Sequence, residues 1–274
     1  GSATCLILNL TFTSEQISAF AWRLPFFLSV LLGIPSLIMR RNLVETRITR
    51  PKGAFTNPIV ELFKTAPTNV VLDIIMVASL SIPIYMFTVF MPSYLTISLN
   101  IRATIAQLIS VVSLLFLSVG VPLLGRISDK HGISKMYCIG CLYNIAFSYP
   151  IFLLIATANY FLVALGVFLL GFGLLFLAGT MFAILILKYR SNIRYTAVSF
   201  IFNTSMSIFG SLTPVVAFYL ISRSKSLLSP WVLLLISGIL GITIFALSNR
   251  KENLHKWRNS YDRNIPVAHT SSNS

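Results

Sequence analysis

Charge is scarce in this chain of 274 residues: charged side chains make up 10% of it and only seven are acidic, where soluble globular proteins carry about 25% charged residues. Together with 56% hydrophobic residues, that scarcity excludes a disordered chain, a soluble enzyme with a single core and a basic nucleic-acid module. The net charge of +14 would draw polyanions if it formed a stripe, but the basic residues stand in the breaks between apolar runs, so no nucleic-acid partner is expected. Cysteine is also rare. Cys5, Cys138 and Cys141 are too few for a disulfide framework. Cys138 and Cys141 have the spacing of a redox or zinc pair, yet they lie in an apolar span without a second pair or a nearby His, and read as small buried helix residues. The sequence contains no His-Glu-x-x-His, no Gly-x-Ser-x-Gly and no Gly-rich Lys-Ser/Thr loop. No catalytic residue, metal or cofactor is therefore expected. Nor is there a charged leader with a cleavage site before Leu10, so residues 1–10 are not read as a signal peptide; the chain is expected to begin inside something longer.

What is abundant is long apolar sequence. A membrane-crossing helix needs about 20 mostly apolar residues, and seven complete spans are expected at about 22–39, 70–98, 102–124, 136–156, 159–187, 196–222 and 229–249. The first fourteen residues, ending near Thr13 and Ser14, read as the tail of an eighth. The longest break, 40–69, is polar and basic, punctuated by Pro51, Gly53, Pro58 and Pro67. Within it Pro58-Ile-Val-Glu-Leu-Phe-Lys64 has the pattern of a short amphipathic helix lying on a membrane surface. Beyond Asn249 the sequence is charged, then Ser-rich, as in a mobile tail.

Alternate breaks differ sharply in basic residues. The set 40–69, 125–135, 188–195 and 250–274 holds seventeen Lys and Arg, and the opposite set only Arg23, Arg102, Arg223 and Lys225. Basic loops stay on the cytoplasmic side, which predicts a multi-pass protein of the cell membrane with a cytoplasmic C-terminus. None of the acids, Glu15, Glu45, Glu61, Asp73, Asp129, Glu252 and Asp262, is expected at mid-span, and Asp73 is read as lying within about a turn of a cytoplasmic end. The histidines, His131, His255 and His269, fall in a loop and the tail. Ionisable groups deep in a bilayer are the usual carriers of proton coupling, and none is expected here.

Two spans carry polar faces. Ser199, Asn203, Ser207 and Ser211 recur every four residues and share one side of a helix; such a stripe must meet water, solute or another helix, and pore lining and interhelical packing both fit. Asn203, whose amide both donates and accepts, is the strongest candidate solute contact, with Ser207 beside it. Ser81, Tyr85 and Thr88 share a face in a span where Pro83 and Pro92 free backbone carbonyls at Ser79 and Thr88. Broken helices of this kind hold transporter sites, although a plain kink fits equally. The ring of Tyr85 could stack on a quaternary ammonium group. Tyr94 is placed near the outer interface, where Tyr is common. Gln107 and Ser110 are weaker candidates. Gly166, Gly171, Gly173 and Gly179 are expected to let helices approach closely.

The most informative short string is Gly125-Arg-Ile-Ser-Asp-Lys-His-Gly-Ile-Ser-Lys135. Physically it reads as a tight turn: Gly125 permits close helix approach, Asp129 could cap the next helix or pair with a base, and Gly132 turns the chain. This string resembles the Gly-x-Leu-Ser-Asp-Arg-x-Gly-Arg-Arg-Lys loop between the eighth and ninth helices of the major facilitator superfamily, with Ile133 and Ser134 where that family has basic residues. Trp22-Arg-Leu-Pro-Phe-Phe27, Val44-Glu-Thr46, Phe87-Thr-Val-Phe-Met-Pro-Ser-Tyr94, Arg194-Tyr-Thr-Ala-Val-Ser199 with Asn203, and Phe209-Gly-Ser-Leu-Thr-Pro214 resemble, in register, segments of its metabolite:proton symporter branch, which includes proline/betaine transporters.

The resemblance implies an all-α membrane protein: the C-terminal six-helix bundle of such a transporter (70–249), preceded by the end of the fifth helix and the sixth (1–39) and a cytoplasmic central loop (40–69), and followed by a cytoplasmic tail (250–274). It implies proton-coupled carriage of a small polar or zwitterionic solute by alternating access. Ser81, Tyr85, Gln107, Asn203 and Ser207 are then candidate solute contacts, and Gly125, Asp129, Lys130 and Gly132 a gating loop. The partners are the solute, the lipid bilayer and, if the chain is half of a split pair, the N-terminal half as a separate polypeptide. The competing expectation is a half-transporter with no activity alone. A membrane enzyme would need clustered acids, bases or metal ligands, and a channel a ring of pore charges; neither is in the sequence.

Overall fold

Helix formation follows the apolar runs, and each helix ends where the chemistry of the sequence demands it. The computed structural model describes residues 2–41, 58–65, 67–190 and 193–251. The Val44-Glu-Thr46 match and the expected tail beyond 251 lie outside the described residues. Among the described residues every regular element is helical. Four helices come first: α1 (Ser2–Thr11), α2 (Ser14–Ala19), α3 (Leu24–Arg41) and α4 (Pro58–Thr65). Six follow that are long and apolar enough to cross a membrane: α5 (Pro67–Ile97), α6 (Ala103–His131), α7 (Ile133–Ala156), α8 (Tyr160–Lys188), α9 (Arg194–Ser224) and α10, which meets that criterion over Trp231–Ser248 and runs on to Lys251. They match the last six of the seven expected spans. The first, 22–39, is helical as α3 but is not among those six.

Local sequence explains the breaks. Asn159 caps α8, its Oδ1 accepting from the backbone N–H groups of Phe161 and Leu162 at 3.0 and 3.4 Å, which satisfies two of the donors a helix start leaves open. Gly132, at φ +100°, forms the single-residue hinge between α6 and α7, a conformation that side chains with a Cβ rarely adopt. The expected turn at 125–135 is accordingly tighter than its sequence suggested. Helix α6 runs on through Asp129 and Lys130 to His131, and Gly132 precedes α7 with no side-chain cap, so Asp129 does not cap the next helix.

The bundle is two interlocked triplets, α5–α7 and α8–α10. The first helix of each packs on the second and third of the other: α5 on α9 and α10, α8 on α6 and α7. The two first helices also touch, as do the two third helices, α7 and α10. Because each triplet has three spans, the second runs through the bundle in the opposite sense to the first, the inverted-repeat plan of secondary transporters. Helix α5 is the most buried, with α8 next, while α6 and α9 show most of their apolar surface to the outside. The short α4 docks on α5 and α9 through buried Leu62 and an edge-to-face contact between Phe63 and Phe200 at 5.4 Å, leaving Ile59 and Val60 exposed. Helix α1 lies along α6.

In lipid the hydrophobic effect does not drive helices together, so close packing and hydrogen bonds must hold them. Both are present. A Cβ on Gly166 would lie 2.6 Å from Ile155 Cγ1 and one on Gly173 2.7 Å from Tyr143 Cδ1, so these two glycines set the α7–α8 spacing as expected. Gly171 faces the ring of Phe87, and Gly179 faces the backbone of Gly125. The central helix α5 bonds to its neighbours one after another: Ser79 shares a hydrogen bond with the Tyr137 hydroxyl of α7 at 2.9 Å, and Ser81 with Ser205 of α9 at 3.0 Å. Tyr94 donates to the carbonyl of Leu227 at 2.8 Å. Tyr94, near the end of α5, is fully buried and ties α5 to the break after α9.

Candidate functional site

The α5–α9 junction sets the polar face of α5 against Ser205 and Gly210 of α9, while the α9 stripe of Ser199, Asn203, Ser207 and Ser211 stays exposed. Both helices are broken there by one π-helical turn, Met86–Phe90 in α5 and Met206–Gly210 in α9, where the N–H of Met91 reaches back to Met86 and that of Ser211 to Met206. Such five-residue turns inside α-helices frequently mark functional positions. Each precedes a proline that has no N–H to donate, Pro92 and Pro214. The α9 turn lies against the part of α5 that precedes its own turn, and the α5 turn against the part of α9 that follows Gly210. Tyr85, just before the first, lays its half-buried ring on Gly210, the last residue of the second; a Cβ there would stand 2.6 Å from the ring carbons Cδ2 and Cε2.

The candidates fall into three places. Ser81 is fully buried and spends its hydroxyl on Ser205 and on the carbonyl of Val77, 3.1 Å away; it holds α5 to α9. Asn203 and Ser207, with Ser199 and Ser211, form an exposed stripe on the outer side of α9. One N–H of Asn203 donates to the Ser199 carbonyl at 2.8 Å and Ser211 bonds the Ser207 carbonyl, leaving the rest of the Asn203 amide on an open face. Gln107 is half-buried in the second turn of α6, towards the end of the bundle opposite the basic breaks, apart from this group. In the expected gating loop, Asp129, Lys130 and Gly132 are exposed and Gly125 is half-buried against α8. Replacing Ser81 or Ser205 with Ala is expected to lower stability by only about 0.6 kcal/mol, the mean for an interhelical hydrogen bond in a membrane, as read by unfolding in detergent micelles; a loss several times larger would make the bond more than a packing contact.

Sequence reasoning missed a second site. Asp73, assigned to the fringe of its span, lies in the second turn of α5 with its side chain fully buried. Its carboxylate pairs with Lys188, the last residue of α8, through Oδ1 and accepts from the Tyr189 hydroxyl through Oδ2 at 2.8 Å. Lys188 also donates to Ser248 of α10 at 2.6 Å. The signal in the sequence was one acid inside the apolar run Val70-Val-Leu-Asp-Ile-Ile-Met76 and one lysine closing another. This buried pair also fixes geometry: the start of α5, the end of α8 and the end of α10 lie together at one end of the bundle. That is the end to which the breaks rich in Lys and Arg belong. Among the described residues no cluster of three or more His, Cys, Asp or Glu could hold a metal ion.

Two inverted helix triplets with broken helices at their seam define a multi-pass all-α membrane protein. The pattern of the Major Facilitator Superfamily matches residues 6–214, and the chain belongs to that family. It is 32% identical over 267 residues to a protein of Staphylococcus aureus (strain COL) named "Putative proline/betaine transporter", covering 92% of this chain and 56% of that protein. It is 29% identical over 255 residues to the glycine betaine/proline/ectoine/pipecolic acid transporter of Dickeya dadantii (strain 3937), covering 88% and 51%. To the proline/betaine transporter of Salmonella typhimurium (strain LT2) it is 27% identical over 256 residues, again 88% and 51%. The chain thus spans about half the length of the curated relatives it matches. No solved structure matches it.

Proposed function

We propose that the chain supplies the C-terminal half of a secondary transporter for a small zwitterionic solute of the proline or betaine kind, and that its activity is carriage, not catalysis. The observation that carries this reading is the open polar stripe of α9, whose last member, Ser211, follows the Gly210 on which the half-buried ring of Tyr85 lies. A carboxylate-bearing solute would take hydrogen bonds from Asn203 and Ser207, and its ammonium group would rest on the Tyr85 face. Ser81 acts one layer behind, by holding the two helices in register. Gln107, in the outer part of α6, would meet solute on its way in or out. A few hydrogen bonds and an aromatic face, without a full countercharge, suit a solute whose own charges cancel.

In this reading the half formed by 70–249 rocks against a second half around the site, exposing it to each side in turn. Residues 1–39 are the end of the fifth helix and the sixth, 40–69 is the cytoplasmic link and 250–274 a cytoplasmic tail. Asp129 and Lys130, exposed at the α6–α7 hinge, would contact the other half while the site faces outward. Proton coupling would reside largely in that other half, whether on the same polypeptide or on a separate one. Uptake of labelled proline and betaine, with dicarboxylates and citrate as controls, tests the reading in vesicles carrying the full-length natural protein. Asn203→Ala and Tyr85→Ala are each expected to raise KM about tenfold, the loss of one good polar or cation–π contact of about 1–2 kcal/mol. Unchanged KM in both variants would remove these residues from the site.

A further inference from the structure

At the basic end of the bundle three helices meet at one buried ion pair, and a fourth is tied to it through Tyr189. Asp73 belongs to α5, Lys188 ends α8, and Ser248 lies near the end of α10. Tyr189, the first residue after α8, gives its hydroxyl to Asp73 and its carbonyl to Arg194, the first residue of α9, whose Nε donates at 3.1 Å. The pair bridges the two triplets, and through Tyr189 it reaches Arg194 at the start of α9. Ion pairs taken out of water are weak stabilisers, and apolar side chains of similar size often serve folding as well. Ionisable residues within membrane helices are by default functional. What this pair does that apolar packing would not is set a direction: lysine and carboxylate must meet at fixed atoms, and the start of α9 is then held relative to α5.

We propose that Asp73 and Lys188 are positioning residues for transport, fixing the inner end of α9, and hence the Asn203 stripe, against α5. They touch no solute; they act through the Tyr189–Arg194 link. This rests on the transport reading above, and it makes a kinetic claim: weakening the pair alters how readily the site turns over and leaves solute affinity in place. The lysine at the C-terminal end of α8 also meets the negative end of that helix dipole, while Asp73 holds both Lys188 and the Tyr189 hydroxyl. Neutralising Asp73 therefore perturbs the pair and its link to Tyr189 together.

The test has two arms. In the first, vesicles with the full-length natural protein carry Asp73→Asn, Lys188→Met or both, with uptake of proline and betaine normalised to folded protein. Each single variant is expected to lose about tenfold in maximal rate with KM within about twofold, the size of effect residues outside a binding site have on coupled motions. The double variant, which removes both charges, is expected to recover most of the rate. Normal rates in both singles, or a raised KM at normal rate, overturn the proposal. So does a double variant as slow as either single, because the charge itself would then be in use. The second arm does not depend on solute. Cys5, Cys138 and Cys141 are replaced by alanine, Asn203→Cys is added, and the rate of maleimide labelling is measured with and without Asp73→Asn. A shift in labelling rate of several fold supports the positioning role even where wild-type uptake of the panel is nil, in which case only the substrate reading fails. An unchanged labelling rate overturns the positioning role whatever the uptake shows.

Discussion

Asp73→Leu is expected to be the most destabilising single substitution at the inner end of the bundle. It leaves the Lys188 ammonium without its carboxylate and strands the Tyr189 hydroxyl, and breaking a buried pair from one side costs about 3–5 kcal/mol. Lys188→Met is expected to cost less, because the carboxylate keeps the Tyr189 hydroxyl as a donor. The double variant is expected to recover most of the loss, since it leaves no uncompensated charge. Unfolding in detergent micelles gives all four stabilities, and the cycle yields the coupling between the two residues. High salt is expected to change that coupling little, in contrast to an exposed pair. Additive single effects of under about 1 kcal/mol would show that the pair is a surface-like contact of little weight.

Gly210→Val is expected to disable the α5–α9 junction. A Cβ at this position meets the Tyr85 ring at 2.6 Å, far inside van der Waals contact, and both helices are already committed to π-helical turns here. Either the ring leaves its place or the helices part. Overfilling a packed interior costs about 1–3 kcal/mol, and solute uptake is expected to fall below a tenth of wild type because the ring is displaced from the stripe. Adding Tyr85→Ala is expected to restore the stability and not the uptake, since the space returns without the aromatic face. Gly210→Val with full uptake would show that Tyr85 and Gly210 are free to separate, and that their contact does not form part of the site.

The spans were legible because the bilayer imposes a length and an apolar composition that few other folds share. Six runs became helices, five of them within about three residues of their expected ends, while α6 runs on past 124 to His131. The hinge at Gly132 was legible for the same kind of reason: a glycine between two helical patterns has few other uses. Asn203 and Ser207 fell on one open face of α9 because fourfold spacing on a helix puts them there wherever the helix goes. Ser81 and Tyr94 show where that reasoning stops. Period and composition placed Ser81 on a polar face and Tyr94 at an interface, yet Ser81 bonds Ser205, 124 residues away, and Tyr94 bonds Leu227, 133 residues away. Asp73 shows it most clearly. A count of residues from the span's end put it near one end of the bundle, where it lies; its burial depends on where the neighbouring helices stop, and α8 delivers Lys188 against it.

The amino-acid sequence by itself therefore determined the all-α membrane class, the places of the six long spans, the family and the exposed polar stripe of α9. These are properties of single helices, set by local spacing and by the cost of placing polar backbone or charge in hydrocarbon. Tertiary structure decided the pairing of α5 with α9, the use of Gly210 as a seat for Tyr85, and the burial of one carboxylate with one lysine from helices more than a hundred residues apart. Those features arise only when the two triplets interlock, because interhelical contacts have no fixed sequence spacing for a pattern to reveal.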